Sequence, residues 1–306
     1  MSSADTQPTG RAIVWMVPRT TSTAFAKCMT GIPGCEIWFE PFLFCFFAQK
    51  EMEKAGIEDV PMSLKGNEEA YQSVAEKVSD RLLTPDVIPE KIAYATIQEE
   101  MEKSESRYVF SKDESFAMQS SVQRQYLPSG YRHAFLIRHP ILVFESLRKT
   151  GYKALKGAGM LKYNEDESSF DMREYDEDDM GRAFQCHHDL WKYIRKNVDS
   201  SPVVISSTDL LSNPEQLLPK FCEAMGYPYS ESLLNWDASP DVCKTWRAPS
   251  ERFQENREFL EASMSSSHFN PPRPVPEFDT LTDDIKEIIT EAMPYYQEMY
   301  EHRLTI

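Results

Sequence analysis

The sequence predicts an α/β fold in which a doubly wound, mainly parallel sheet is flanked by helices. Two observations lead to this prediction. Short apolar runs of strand length recur along the 306 residues, and segments with helical patterns or helix-start signals lie between them. Strands that alternate with helices imply parallel pairing through crossover connections. Sheets of this kind bind ligands at the carboxyl ends of their strands.

Five segments have the length and composition of strands. The first, residues 12–17 (AIVWMV), is apolar throughout, which is typical of a parallel strand covered on both faces. The other four predicted strands are residues 35–39, 107–113, 133–138 and 202–207.

Helices are predicted between and after these strands. Pro140 and Pro214 each follow a predicted strand, and proline suits the first turn of a helix because its missing N–H would have no partner there. Asn213 before Pro214 is a favourable N-cap. The other predicted helices begin near Ala24, occupy most of 42–104 with breaks at Pro61, Pro85 and Pro89, and run from Leu281 to Arg303.

The chain shows no linker that would divide it, so we expect a flexible N-terminus over residues 1–10 and a single domain over 11–306. The acidic stretch 164–182 is predicted to be a solvated, mobile segment. The six cysteines form no metal-like pattern, which favours reduced thiols and no metal. Because the sequence opens with no signal-peptide pattern, we expect a cytoplasmic protein.

The charge balance limits the partners. Lys and Arg total 33 and Asp and Glu total 49, which gives a net charge of −16. Such a protein repels nucleic acid and anionic membrane surfaces, so neither is an expected partner. An anionic ligand would need a local basic pocket.

The turn after the first strand, PRTTSTAF, carries donors for an anion. Arg19 supplies a fixed cation, and Thr20, Thr21, Ser22 and Thr23 supply four hydroxyls before a helix N-terminus. Helix N-termini favour anions through unpaired N–H groups and partial positive charge. A loop for magnesium and a triphosphate needs glycines and Gly-Lys-Ser/Thr, which are missing here. Taken alone, the turn fits a phosphate loop and a simple helix cap equally well.

A second candidate anion site follows the fourth predicted strand. Arg138 ends that strand, and Ser146 lies eight residues later, roughly two turns into the next helix. A planar guanidinium can bond two phosphate oxygens, so the pair could hold a compact dianion from two sides. Alone, it would more simply be a surface cation and a helix serine. Two strand-end sites on one sheet favour ligand binding.

These motifs resemble those of the sulfotransferases that use 3′-phosphoadenosine 5′-phosphosulfate (PAPS). In that family, a P-loop relative holds the 5′-phosphosulfate where this chain has VPRTTSTAF, and R-x-P-x₅-S, matched by Arg138, Pro140 and Ser146, holds the 3′-phosphate. A weaker match covers 208–229. The FEP and SKD segments are closer to the broad bacterial and invertebrate group than to the cytosolic detoxifying enzymes. The resemblance spans roughly Ile13 to Tyr229 and implies a P-loop NTPase-like sulfotransferase fold.

The resemblance implies in-line sulfuryl transfer without a metal, with 3′,5′-adenosine bisphosphate as the product. Arg19 stands where many members carry a lysine that stabilises the leaving group. Arginine can do so electrostatically but is a poor proton donor. Lys112 matches a family lysine, and Glu114 falls where the usual histidine would be, with Asp113 beside it. A buried carboxylate can replace histidine as the base if burial raises its pKa.

Glu40 in WFEPF is the rival base and is slightly favoured, because its aromatic neighbours could desolvate it. The alternative is that it caps a helix that starts at Pro41. Of the histidines, His139 could line the nucleotide site, and His268 is a weaker catalytic alternative.

The late loop CKTWRAPSERF could complete the nucleotide site by position. Trp246 could stack on adenine, with aromatic core as an equal interpretation, and Arg247 or Arg252 could contact the 3′-phosphate. The apolar run 38–48 and the helices of 42–104 are the expected walls for a small alcohol, phenol or amine.

Other function classes stay open at this point. They are a P-loop small-molecule kinase and a non-catalytic nucleotide-binding protein. The oligomeric state is also open, with a homodimer as one option.

Overall fold

The computed structural model describes residues 10–163, 165–175, 180–255, 260 and 263–306. Within them, one parallel sheet is formed by β1 (Gly10–Met16), β2 (Cys35–Phe39), β3 (Tyr108–Glu114), β4 (Arg132–Ile137) and β5 (Val203–Ser206). The strand order is β2-β3-β1-β4-β5. The predicted doubly wound α/β fold is therefore confirmed, and each strand end lies within two residues of its predicted position. The predicted flexible N-terminus lies outside the described residues, apart from Gly10, which begins β1.

Helices connect and cover the strands. They are α1 (Ser22–Met29), α2 (Pro41–Lys54), α3 (Glu68–Leu82), α4 (Tyr94–Glu102), α5 (Pro140–Gly157), α6 (Ala183–Asn197), α7 (Ser207–Ser212), α8 (Pro214–Met225) and α9 (Asp283–Glu301). The short helix α7 was not predicted. Among the described helices, none combines the length and apolar character that crossing a bilayer requires.

The central position of β1 in the sheet explains its apolar composition. In β1 and the residue after it, Ile13, Trp15 and Val17 belong to one apolar cluster, and Val14 and Met16 belong to another on the opposite face. Helices α2, α5 and α6 contribute to the first cluster, and α1 and α8 contribute to the second. Because both faces of β1 are covered, every residue in the run 12–17 is apolar.

The neighbours of β1 locate the expected binding crevice. The chain leaves β1 towards β2 and β3 on one side, and β4 lies on the other side. Open parallel sheets bind ligands beyond the carboxyl ends of the strands where the winding reverses. In this sheet, that point lies above β3, β1 and β4.

Part of the predicted solvated, mobile segment, residues 165–175, contacts the rest of the fold through Arg148. Arg148 in α5 is buried and donates to Asp284 in α9 over 3.0 Å. It also donates to the carbonyls of Glu167 and Phe170, over 3.0 and 2.5 Å. One arginine thus anchors the segment to two helices. Residues 164 and 176–179 of this stretch lie outside the described residues.

Candidate active site

The loop between β1 and α1 contains left-handed backbone without glycine. Arg19 and Thr21 have φ angles of 67° and 74°, in the left-handed region that favours glycine. For other residues this conformation costs roughly 1–2 kcal/mol each. Two hydrogen bonds oppose that cost: Arg138 Nη1 donates to the Arg19 carbonyl over 2.6 Å, and Ser207 Oγ donates to the Thr20 carbonyl over 2.6 Å.

The four predicted hydroxyls of this loop lie in different surroundings. Thr20 is fully buried, and its Oγ donates to the Val17 carbonyl over 3.0 Å. Its single hydroxyl hydrogen therefore supports the loop and cannot also be donated to an anion. Thr21 is the N-cap residue of α1 without a side-chain cap bond, and Ser22 and Thr23 open the helix. The first N–H groups of a helix have no partner inside it, so this end of α1 keeps donors for an anion.

The two predicted anion motifs are in direct contact. Arg19 Nε donates to Ser146 Oγ over 3.1 Å, and Arg138 holds the backbone of Arg19. Burial, together with the nearby Arg273 and Arg19, lowers the pKa of Arg138 to about 10. Burial also lowers the pKa of Arg19. Because guanidinium groups stay charged at neutral pH, this cluster carries closely spaced positive charge that an anion would stabilise.

Arg273 is a cation that the sequence analysis did not single out. It lies in the PPRPVP segment, and its Nη2 is 3.7 Å from Glu145 Oε2, one residue before Ser146. Its positive charge also lowers the pKa of Arg138. In the sequence, Arg273 is distinguished only by its flanking prolines, and its position near α5 is set by the fold.

A buried lysine joins the other predicted residues. Lys112 at the end of β3 is 1% exposed, and its Nζ lies 2.5 Å from Glu40 Oε1 and 3.5 Å from Ser22 Oγ. The ammonium also lies over the Phe39 ring, 4.0 Å from its centroid. The Glu40 N–H donates to the Lys112 carbonyl over 2.9 Å. Lys112 therefore links the start of α1 with the Glu-Pro segment.

Glu114 lies on the same face of β3 as Lys112, two residues further on. It is 8% exposed. Burial raises the pKa of its carboxyl well above the ordinary value, and the charge of Glu40 adds to the rise while Lys112 opposes it. A carboxyl with a raised pKa suits proton transfer near neutral pH.

The alternative role of Glu40, as a side-chain cap of α2, is wrong. Glu40 occupies the N-cap position but makes no side-chain cap bond. Asp113 accepts hydrogen bonds from the N–H groups of Phe42 over 2.6 Å and Leu43 over 3.1 Å. Asp113 therefore caps the helix and is not available as a base.

The late-loop predictions are not supported by the positions of the residues. Trp246 is buried, and its ring centroid lies 6.0 Å from that of Phe39 and 5.9 Å from that of Phe253, so the aromatic-core interpretation fits. Arg247 Nε is 2.8 Å from Glu36 Oε2, near the start of β2. Strand β2 lies three strands from β4, a separation of roughly 14 Å at the usual strand spacing, so Arg247 is remote from Arg138.

Arg252 is also engaged elsewhere. It is half exposed and pairs with Asp86 and Glu255, each over 2.7 Å. The predicted contact of Arg252 with the 3′-phosphate therefore conflicts with its position among these surface carboxylates.

The histidines have other partners. His139 is the N-cap residue of α5 and accepts a hydrogen bond from the Ile141 N–H over 3.3 Å. His187 is buried against Ser115 Oγ at 2.6 Å, and burial lowers its pKa to about 3. His268 pairs with the adjacent Ser267. The aromatic residues of the run 38–48 pack in the two apolar clusters, so the predicted pocket walls are core in this structure.

Comparison with known proteins bears on the family that this chain resembles. The model of the sulfotransferase domain family matches residues 175–303. The resemblance to sulfotransferases is confirmed. The matched residues run from just before α6 to just after α9. A comparison with curated proteins found no match.

Solved sulfotransferase domains are similar to this chain over most of its length. One is the sulfotransferase domain of the olefin synthase from Synechococcus PCC 7002, at 14% identity and a TM-score of 0.45, covering 95% of this chain and 97% of that chain. Another is the sulfotransferase domain from the curacin biosynthetic pathway, at 12% identity and a TM-score of 0.44, covering 94% and 99%.

Proposed function

We propose that this sulfotransferase moves a sulfuryl group from PAPS to a hydroxyl or amine of a small-molecule acceptor. The observation that carries the proposal is the contact between the two anion motifs. Arg19 bonds Ser146, and Arg138 bonds the backbone of Arg19, so one site could bind the two anionic ends of a nucleotide. The buried Lys112–Glu40 pair lies on the other side of the start of α1.

The residues present fit the donor. In a chain of net charge −16, Arg138 lies near both Arg19 and Arg273, and Arg273 Nη2 is 3.7 Å from the carboxylate of Glu145. Arg138, Ser146 and Arg273 would hold the 3′-phosphate, and Arg19 with the N-terminus of α1 would hold the phosphosulfate. PAPS supplies an activated sulfuryl group when bound.

The protein's own groups supply charge stabilisation and proton transfer. Arg19 and Lys112 would stabilise negative charge that develops on the leaving oxygen. Glu114 is the better supported base, because burial raises its pKa while the carboxylate of Glu40 is engaged by Lys112. Glu40 stays the alternative. Since Lys112 and Glu114 are almost completely buried, a small acceptor fits this site better than a chain of sugars or a protein.

Ligand binding followed by an activity assay tests the proposal. We expect 3′,5′-adenosine bisphosphate to raise the melting temperature without a metal, and labelled PAPS to transfer sulfate to at least one member of a panel of alcohols, phenols and amines. Stabilisation by ATP with magnesium, but not by the bisphosphate, would favour a kinase and overturn the proposal. Binding of PAPS without transfer to any acceptor would favour a non-catalytic nucleotide-binding protein.

Two matched variants identify the base. Glu114→Gln and Glu40→Gln each remove a charge while keeping the shape of the side chain. We expect Glu114→Gln to abolish turnover with bisphosphate binding retained, and Glu40→Gln to keep measurable turnover. The reverse result would assign the base to Glu40. Turnover by both variants would exclude both carboxylates.

A further inference from the structure

The start of α2 has an unusual cap. A helix normally begins with a residue whose own side chain accepts a hydrogen bond from the second or third N–H of the helix. Glu40 holds that position before α2, but its φ is 49° and its carboxylate binds Lys112 instead. The N–H groups of Phe42 and Leu43 would then need another acceptor.

Asp113 in β3 is that acceptor. Its Oδ2 accepts from the Phe42 N–H over 2.6 Å, and its Oδ1 accepts from Leu43 over 3.1 Å and from its neighbour Glu114 over 2.8 Å. Side chains alternate along a strand, so Asp113 faces the opposite side of the sheet from Lys112 and Glu114. It is fully buried in the layer that also contains α2.

The burial of the Asp113 carboxyl costs free energy, which indicates a specific role for this residue. Burial raises the pKa of Asp113, and the three N–H groups that donate hydrogen bonds to its carboxylate oppose this rise. Burying a carboxyl is unfavourable unless hydrogen bonds compensate it, and a serine or asparagine at residue 40 could have capped α2 more simply. Such a residue could not also form an ion pair with Lys112.

We propose that Asp113 is a positioning residue that caps α2 in place of Glu40, so that the carboxylate of Glu40 stays on Lys112 and the backbone of Glu114 stays fixed. Asp113, on one face of the sheet, thereby holds the carboxylates of Glu40 and Glu114 in place on the other face. The importance of this arrangement for turnover rests on the proposed sulfotransferase function, while the arrangement itself does not.

The first test is structural and needs no ligand. Asp113→Asn keeps the volume and one accepting oxygen, but its amide NH₂ cannot accept, so either the Phe42 or the Leu43 N–H loses its acceptor. Asp113→Ala removes both acceptors. In crystal structures of these variants, we expect Glu40 to turn towards the freed N–H groups and its distance to Lys112 Nζ to exceed the ion-pair limit of about 4 Å. An unchanged Lys112–Glu40 pair would overturn the proposal. If Asp113→Ala does not fold, Asp113→Asn still gives the answer.

The second test is kinetic. We expect Asp113→Asn to lower kcat by about tenfold or more, because small displacements of catalytic groups cost up to roughly 10²-fold, and to leave the Kd for 3′,5′-adenosine bisphosphate within about twofold. In a Glu40→Gln background, the same change should lower kcat less, since the part of the positioning effect that acts through Glu40 is already lost and only the part through Glu114 remains. Equal effects in both backgrounds would overturn the role through Glu40, and a normal kcat per folded molecule would overturn the whole proposal.

Asp284→Asn is the matched control. Asp284 is also a buried carboxylate, and it accepts a hydrogen bond from the Met172 N–H over 3.0 Å and pairs with Arg148. Its replacement should lower the melting temperature and leave kcat per folded molecule unchanged. Failure of the wild-type protein to bind the bisphosphate would refute the proposed function, whereas the crystal structures would still decide the role of Asp113.

Discussion

Replacement of Arg138 by alanine is the sharpest test of the nucleotide site. The change removes a half-buried guanidinium and its 2.6 Å hydrogen bond to the Arg19 carbonyl. Loss of a charge-assisted contact to a phosphate costs roughly 1.5–3 kcal/mol, and loss of an ordinary hydrogen bond that supports the loop costs about 1 kcal/mol. We therefore expect the binding free energy of 3′,5′-adenosine bisphosphate to weaken by about 3 kcal/mol, which is roughly a 150-fold rise in Kd.

Isothermal titration calorimetry with two nucleotides separates the contribution of the phosphate contact from that of the loop hydrogen bond. Adenosine 5′-monophosphate lacks the 3′-phosphate, so Arg138→Ala should cost it only the loop contribution, about a fivefold rise in Kd. Arg252→Ala is the control, since Arg252 is half exposed and its surface pairs with Asp86 and Glu255 are worth little. We expect its Kd for both nucleotides to match the wild type.

The outcomes of this experiment are distinct. Equal losses for both nucleotides would refute the assignment of Arg138 to the 3′-phosphate. Unchanged affinity for both would refute the anion site itself. A large loss with Arg252→Ala would restore the role that the sequence suggested for the late loop.

Three further predictions concern the same region. Ser146→Ala removes the acceptor for Arg19 and should raise the bisphosphate Kd about fivefold in calorimetry; equal or tighter binding would contradict this. Lys112→Met should lower the free energy of unfolding in urea by about 3 kcal/mol or more, because it leaves the partly buried carboxylate of Glu40 without its partner. Adding Glu40→Gln to this variant should recover part of the loss. If the losses of the two single variants simply add in the double variant, Lys112 and Glu40 do not stabilise the fold as a pair. Glu114 binds its proton more tightly in the folded protein than in the unfolded chain, where its pKa is about 4.3, so its contribution to stability should fall as pH rises above about 4. Glu114→Gln should then be more stable than wild type at about pH 8 and similar at about pH 4, and parallel stability curves would exclude the raised pKa.

Local patterns in the sequence were sufficient for much of the fold. The apolar run 12–17 predicted a covered strand because both of its neighbouring layers demand apolar side chains. Prolines at helix starts marked α5 and α8 correctly. The short helix α7 was missed, since six residues are too few to show a helical period.

The candidate site was only partly predictable. The sequence identified Arg19, Arg138 and Ser146 as members of two anion motifs, and the structure places them in contact. It could not show that the hydroxyl of Thr20 points back to Val17, because that depends on how the loop closes. Nor could it locate Arg273, whose distance to α5 is set by the fold.

The sequence by itself determined the order of strands and helices and the pair of anion motifs, since both depend on residues close together in the chain. Only the tertiary structure decided which carboxylate does what. Asp113 reaches Phe42 across 71 positions of sequence, and that contact releases Glu40 to pair with Lys112. No local period encodes such a contact, because it exists only once β3 and α2 have packed together.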